Sequence, residues 1–165
     1  MAKTLQTKGG GLSDASLRGV ITELQSAIVD IVTNSPGLAI GSSSKKAVKI
    51  ANTVYAMIDG VLVKKTTAEI ALAGTVTNAK FNVFVLSMTA NGTVVATMGT
   101  EGATIGALVF PAVPASSVVL GYVIVNPTGT GNFVGATTDL DDVTVAPNAV
   151  YINTVGAFNP NVLAL

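Results

Sequence analysis

A serine and a lysine three residues apart can make an activated nucleophile, and Ser42-Ser43-Ser44-Lys45 has that S-x-x-K spacing. Acyl transfer of this kind needs companion motifs that the chain lacks, and 165 residues are too few for the two-part fold that carries them. The stretch reads instead as a Ser/Gly linker between a helix and a sheet. The wider segment Gly37 to Lys46 suggests a phosphate loop, yet it has no G-x-x-x-x-G-K-[ST] pattern and no strand-then-helix context. Lys45, Lys46 and Lys49 can still face an anion, as a solvated patch or a contact to an acidic neighbouring protein. Nucleic acid is not expected, because such domains carry more positive charge with arginines or aromatics in the patch, and the only arginine here is Arg18. Asp139, Asp141 and Asp142 are three close carboxylates of the type that holds Ca²⁺, but the glycine and closing glutamate of an EF-hand loop are absent. Solvated loop acids are the expectation, and no metal or other cofactor is expected. Asn91-Gly92-Thr93 has the form of a glycosylation sequon and reads as a hairpin turn, with no secretion signal before it.

The chain has no histidine and no cysteine. Histidine is the usual proton-transfer group near neutral pH, and both residues are the main ligands of zinc and other transition metals. The expectation is therefore a protein that is not an enzyme. Charged residues make up 11% of the chain and hydrophobic residues 49%, with a mean hydropathy of +0.61. The most apolar stretch, Ala103 to Val125, is broken by Pro111, Pro114, Ser116 and Ser117, so it falls short of the ~20 residues of a spanning helix. No membrane partner is expected, and synthesis in the cytoplasm without export by the usual route is. Subunits of a permanent oligomer bury such surplus apolar surface in one another. All nine basic residues lie within residues 1–80, whereas residues 81–165 carry only acidic ones, so the two halves suit different surroundings.

The elements that must position these residues divide the chain into 1–37, an N-terminal arm and amphipathic helix for attachment or oligomerisation, and 38–165, a β-rich domain. Residues 1–11 end in Gly9-Gly10-Gly11 and read as a flexible arm. Ser13 is a good N-cap, Leu12 and Leu17 sit at the positions of a hydrophobic staple, and Asp14 lies where the helix dipole favours negative charge. Leu17, Ile21, Leu24, Ile28 and Ile31 then follow heptad spacing, with Val20, Ala27 and Val32 widening the stripe, until Asn34-Ser35-Pro36-Gly37 stops the helix. Those five residues are the candidate oligomer interface, although about two and a half heptads also suit a helix lying on its own domain. From residue 48 the pattern turns β. Val48 to Ile58, Val61 to Val63, Ala68 to Ala73, Phe81 to Ala90, Thr93 to Met98, Val118 to Val125, Phe133-Val134, Val143 to Val145 and Val150 to Val155 are the candidate strands. Asp59-Gly60 and Asn91-Gly92 are hairpin turns, and Phe81 to Ala90 is apolar on both faces. The fold class is mainly β, an antiparallel sandwich or barrel preceded by the arm and one amphipathic helix.

The run Phe110-Pro111-Ala112-Val113-Pro114, continuing to Leu120-Gly121-Tyr122-Val123-Ile124-Val125, precedes a Gly/Thr/Asn-rich loop and a late Asn148-Ala149-Val150-Tyr151-Ile152 strand. With Leu38 to Lys45 and the Val54 to Gly60 hairpin, it resembles small β domains of tailed-bacteriophage virion proteins, over about residues 38–160. That family includes capsid decoration (cement) proteins and head or tail fibres, commonly trimeric, with an N-terminal segment that attaches to the virion. The resemblance implies a trimeric decoration protein that binds the major capsid protein or another virion protein and stabilises the phage head. It would be assembled in the host cytoplasm, with Lys3, Lys8 and Arg18 contacting an acidic capsid surface. The alternatives are a head, neck or tail fibre, or a receptor- or carbohydrate-binding module. A sugar site needs exposed rings, and the chain has no tryptophan and three tyrosines.

Overall fold

The computed structural model describes Ala15 and residues 17–19, 30–128 and 130–158. Ala15, Leu17, Arg18 and Gly19 are helical, and twelve strands follow from Ile31. They are β1 (Ile31–Val32), β2 (Leu38–Ile40), β3 (Ala47–Ile50), β4 (Val54–Ile58), β5 (Val61–Lys65) and β6 (Ala68–Ala71). Then come β7 (Thr75–Val76), β8 (Asn82–Thr89), β9 (Val94–Met98), β10 (Ser117–Val125), β11 (Phe133–Val134) and β12 (Val150–Asn153). The protein is mainly β, with several antiparallel sheets and no closed barrel among the described residues. A four-stranded sheet of order β12-β10-β8-β9 is the largest, beside two three-stranded sheets, β1-β4-β5 and β2-β3-β6, and the pair β11-β7.

The main core lies on one face of the four-stranded sheet. Phe84, Leu86 and Met88 from β8 and Val118, Leu120, Val123 and Val125 from β10 meet Val48, Ile50, Val54, Ala56 and Ile58 from the smaller sheets. Phe84 packs edge-on against Phe133 with ring centroids 6.0 Å apart. Strand side chains alternate between faces, so a single face cannot hold both Leu120 and Val123 in a regular strand. A bulge resolves this: the β10–β8 register shifts between Val119 and Gly121, leaving Leu120 as the extra residue. Val119, Tyr122 and Ile124 then face the other side with Val83 and Val85, under Leu108, Phe110, Val113 and Phe158. The coil around Pro111 and Pro114 thus covers the second face, which explains why β8 is apolar on both sides.

The Asp59-Gly60 hairpin joins β4 to β5, and both residues have positive φ, 50° and 75°, as a type I′ turn requires. Three expectations are corrected. Ile31 and Val32 are not helical: they form β1, paired with Met57 and Ala56, so the β fold begins at Ile31 and the helix cannot run to Asn34. Asp30, at φ 56°, breaks any helix before them. The linker around Gly37 to Lys46 contains β2, and Val143 to Val145 form turns rather than a strand.

Candidate functional site

The polar residues that suggested chemistry are engaged in holding loops. The backbone amides of Ser42 and Ser43 donate to one carboxylate oxygen of Glu69 at 2.6 and 2.8 Å, and the Ser44 amide donates to the other at 3.1 Å. Three successive amides make an anion-binding nest, and Glu69 on β6 fills it from within the chain. The Ser43 amide foremost, with those of Ser42 and Ser44, holds the Glu69 carboxyl below the usual glutamate range against partial desolvation. Lys45 does not reach Ser42. Its Nζ donates to Asp141 at 2.6 Å, which raises the lysine's pKa through that hydrogen bond and the charge beside it. The Ser42 hydroxyl instead accepts from Lys49 at 2.7 Å. Ser42 is exposed on the loop, with no burial to strip the lysine of solvent, so the pair lacks the environment that makes a lysine a base.

The acidic cluster divides in the same way. Asp141 meets Lys45, while Asp142 accepts the Thr144 hydroxyl at 2.6 Å and the Thr144 and Val145 amides at 2.8 and 3.3 Å. The Thr144 hydroxyl first, then its amide, lowers the Asp142 pKa. Among the described residues no three acidic groups converge as metal ligands would. Glu101 similarly accepts the Thr77 amide and hydroxyl at 2.9 and 2.8 Å, which lowers its pKa. No signal in the sequence marks Glu69 or Glu101 for these tasks, because each partner lies more than twenty residues away.

The aromatic rings are mostly engaged in packing. Tyr122 lies between Phe110, edge-on at 5.2 Å, and Phe158, stacked at 5.9 Å. Tyr151 packs against the main core, and burial pushes its pKa up to about 12, with the Asp141 charge adding to the shift. Tyr55 is the described ring most open to solvent, 41% exposed with the Lys64 ammonium 5.9 Å from its centroid.

What the sequence did not announce is a contrast between the outer faces of the sheets. On β2-β3-β6 the rung Ala39–Lys49–Glu69 points outward and is charged. On the four-stranded sheet the outer face is covered by the proline-containing coil. On β1-β4-β5 the inward side chains are Val32, Val54, Ala56, Ile58 and Val63, so the outward rungs are Ile31–Met57–Leu62 and Thr33–Tyr55–Lys64. An antiparallel bridge between Val32 and Gly156 sets Val155 and Ala157 beside them. Leu62 is 65% exposed and Val155 57%. This apolar outer face is the candidate interaction surface.

Of the residues expected at an interface, Leu17 is helical and 44% exposed, and Arg18 is helical and exposed. Ile31 lies in β1 on the face just described. Lys3, Lys8, Ile21, Leu24 and Ile28 lie outside the described residues. No protein-family profile, curated protein or solved structure matches the chain.

Proposed function

We propose that this chain is a structural virion protein, an oligomeric and most simply trimeric decoration protein that binds and reinforces a phage capsid. The virion setting comes from the resemblance over residues 38–160, and the scaffold role from the structure's use of its side chains. The observation that carries the scaffold role is the engagement of the carboxylates. Glu69, Glu101, Asp141 and Asp142 each fasten one loop to another segment or to itself, while apolar side chains stay uncovered on Leu17, Tyr55, Leu62 and Val155. Surface of this kind is buried by assembly, at about 25 cal/mol per Å² of apolar area removed from water. The ring inventory weighs against a sugar-binding module, since stacking would fall to Tyr55, whose ring already faces Lys64.

Light scattering on the purified full chain over a concentration series, followed by co-sedimentation with phage heads from the same source, tests the proposal. A stable trimer that pellets with heads supports it. A protein that stays monomeric and remains in the supernatant overturns it.

A further inference from the structure

Residues 139–146 form successive turns and belong to no sheet, yet they close part of the main core. Leu140 and Ala146 are buried there. A strand is held by a ladder of backbone bonds, whereas this segment bonds largely to itself. The Asp142 amide donates to Asp139 O at 3.2 Å, and the Val145 and Ala146 amides donate to Asp142 O at 3.2 and 2.8 Å. Among the described residues, its polar ties to the rest of the fold are few. The Leu140 amide donates to Lys45 O at 2.9 Å, the Asp141 carboxylate accepts Lys45 Nζ at 2.6 Å, and Thr144 O accepts the Thr130 amide at 3.2 Å. The first two end on one residue, Lys45. That residue follows directly on the three amides that Glu69 gathers from β6. Gly41 N to Ala47 O at 2.8 Å closes the base of the same loop.

We propose that residues 139–146 are a strap over the main core that opens as one unit with residues 42–46, and that the charge on Glu69 keeps both closed. Glu69 touches no residue of the strap in any of its bonds to the loop. It acts by fixing the backbone that presents the Lys45 carbonyl and ammonium to Leu140 and Asp141. A segment with few outward bonds and exposed polar groups belongs to the low-stability end of a fold, where opening is local. The strap does not depend on the oligomeric reading above.

The charges around the two loops set the direction of a pH response. Lys49, the cross-strand partner of Glu69, turns its ammonium to the Ser42 hydroxyl, and Lys46 follows Lys45 on the loop. Asp139 acts on Lys45 from the strap beside Asp141, and the Tyr151 phenol lies where it feels the Asp141 charge. The Ser43 amide foremost at Glu69, and the Thr144 hydroxyl foremost at Asp142, hold both carboxyls below their ordinary values. Their hold is therefore present above the ordinary carboxylate pKa and is lost as pH falls through the folded one. Protonating Glu69 also leaves Lys45, Lys46 and Lys49 with less opposing charge.

Hydrogen exchange on the full-length protein, read by mass spectrometry and corrected for the intrinsic rate at each pH, tests the strap. Glu69→Gln keeps the shape of the side chain and removes its charge. At pH 7 this variant is expected to exchange several-fold faster than the parent at Ser42–Ser44 and also at Leu140 and Ala146, with β8 and β10 as protected as in the parent. The parent should show the same pattern on acidification to about pH 3. Lys45→Met should loosen the strap while residues 42–44 stay protected, since Glu69 still holds them. Faster exchange confined to residues 42–44 in Glu69→Gln, or no change in either loop, overturns the proposal. Loss of protection in β8 and β10 together with the loops overturns it as well, because no separate unit then exists. A strap as protected in Lys45→Met as in the parent overturns the route through Lys45.

Discussion

Replacing Gly121 with alanine tests the bulge that sets both faces of β10. A Cβ at this position would lie 2.3 Å from the Ile152 carbonyl oxygen and 2.6 Å from Leu38 Cδ1. An ordinary carbon–oxygen approach is about 3.3 Å or more, so the two backbones must separate by roughly 1 Å. Separation on that scale breaks hydrogen bonds already near their ordinary length. Those at risk include Thr154 N to Leu120 O at 3.1 Å, the Thr154 hydroxyl to Val119 O at 2.6 Å and Leu38 N to Asn153 Oδ1 at 2.7 Å. At about 0.5–1.5 kcal/mol net for each, losing two or three costs ~1–4 kcal/mol. The backbone is also at φ +155°, a conformation that side chains rarely adopt, which adds ~1–3 kcal/mol. The total of about 2–7 kcal/mol is a large share of the ~5–15 kcal/mol that stabilises a domain. Urea unfolding followed by far-UV circular dichroism measures it, and Gly106→Ala is the control. Gly106 lies in a short 3-10 turn with no atom within 4 Å of its would-be Cβ, so that change is expected to stay within about 0.5 kcal/mol. A Gly121→Ala protein within about 1 kcal/mol of the parent, at unchanged denaturant slope, would refute the close approach of β12 and the role given to the bulge.

Tyr151→Phe removes a buried hydroxyl that has no hydrogen-bond partner among the described residues, so stability should be unchanged or raised by up to ~1 kcal/mol, and a clear loss of stability would contradict this. Because the folded Tyr151 pKa, about 12, exceeds the ordinary value near 10, its contribution is complete below about pH 10 and is lost as pH climbs toward 12. The phenylalanine variant should therefore resist alkaline unfolding better over that window, read by circular dichroism. Glu69 has the opposite sign: its folded pKa is depressed, so its contribution is present above the ordinary glutamate value and disappears as pH falls through the folded one. Glu69→Gln should melt lower at pH 7 and show a flatter melting profile below about pH 4, and equal acid sensitivity in both proteins would show that the nest does not hold a charge. If the chain forms the proposed oligomer, Ile21→Asp with Ile28→Asp should dissociate it in light scattering, whereas unchanged mass would remove these residues from the interface.

Short-range signals carried much of the fold. Asp59-Gly60 and Asn91-Gly92 mark hairpins that the structure contains, and the two-sided apolar pattern of Phe81 to Ala90 anticipated a strand covered on both faces. Ile31 was misplaced because its three-residue step from Ile28 continues the heptad, while the residue that ends that pattern, Asp30, reaches positive φ without being glycine. Val143-Thr144-Val145 has strand-forming residues, but the Asp142 carboxylate captures the Thr144 and Val145 amides and makes a turn. β2 escaped notice because three residues between Gly37 and Gly41 give too short a pattern. The outer face of β1-β4-β5 was not legible at all. Its rungs join residues 31, 57 and 62 with 155 and 157, and only long-range pairing brings those together.

That pairing also connects the covered face to the open one. Residues 154–158 touch three layers in succession: Thr154 bonds Val119 and Leu120 at the bulge, Gly156 bridges Val32, and Phe158 stacks on Tyr122. The first contact fixes how β10 distributes its side chains. The second anchors β1, and with it the point where the N-terminal segment enters the sheet. The third helps to close the coil over Val83, Val85 and Val119. The apolar side chains of the described residues are thereby sorted, with the large sheet covered on both sides and Tyr55, Leu62 and Val155 exposed on the small one. An even distribution of apolar surface would give a partner no preferred side. This arrangement would give the partner of the proposed assembly one, set by backbone hydrogen bonds within the chain itself.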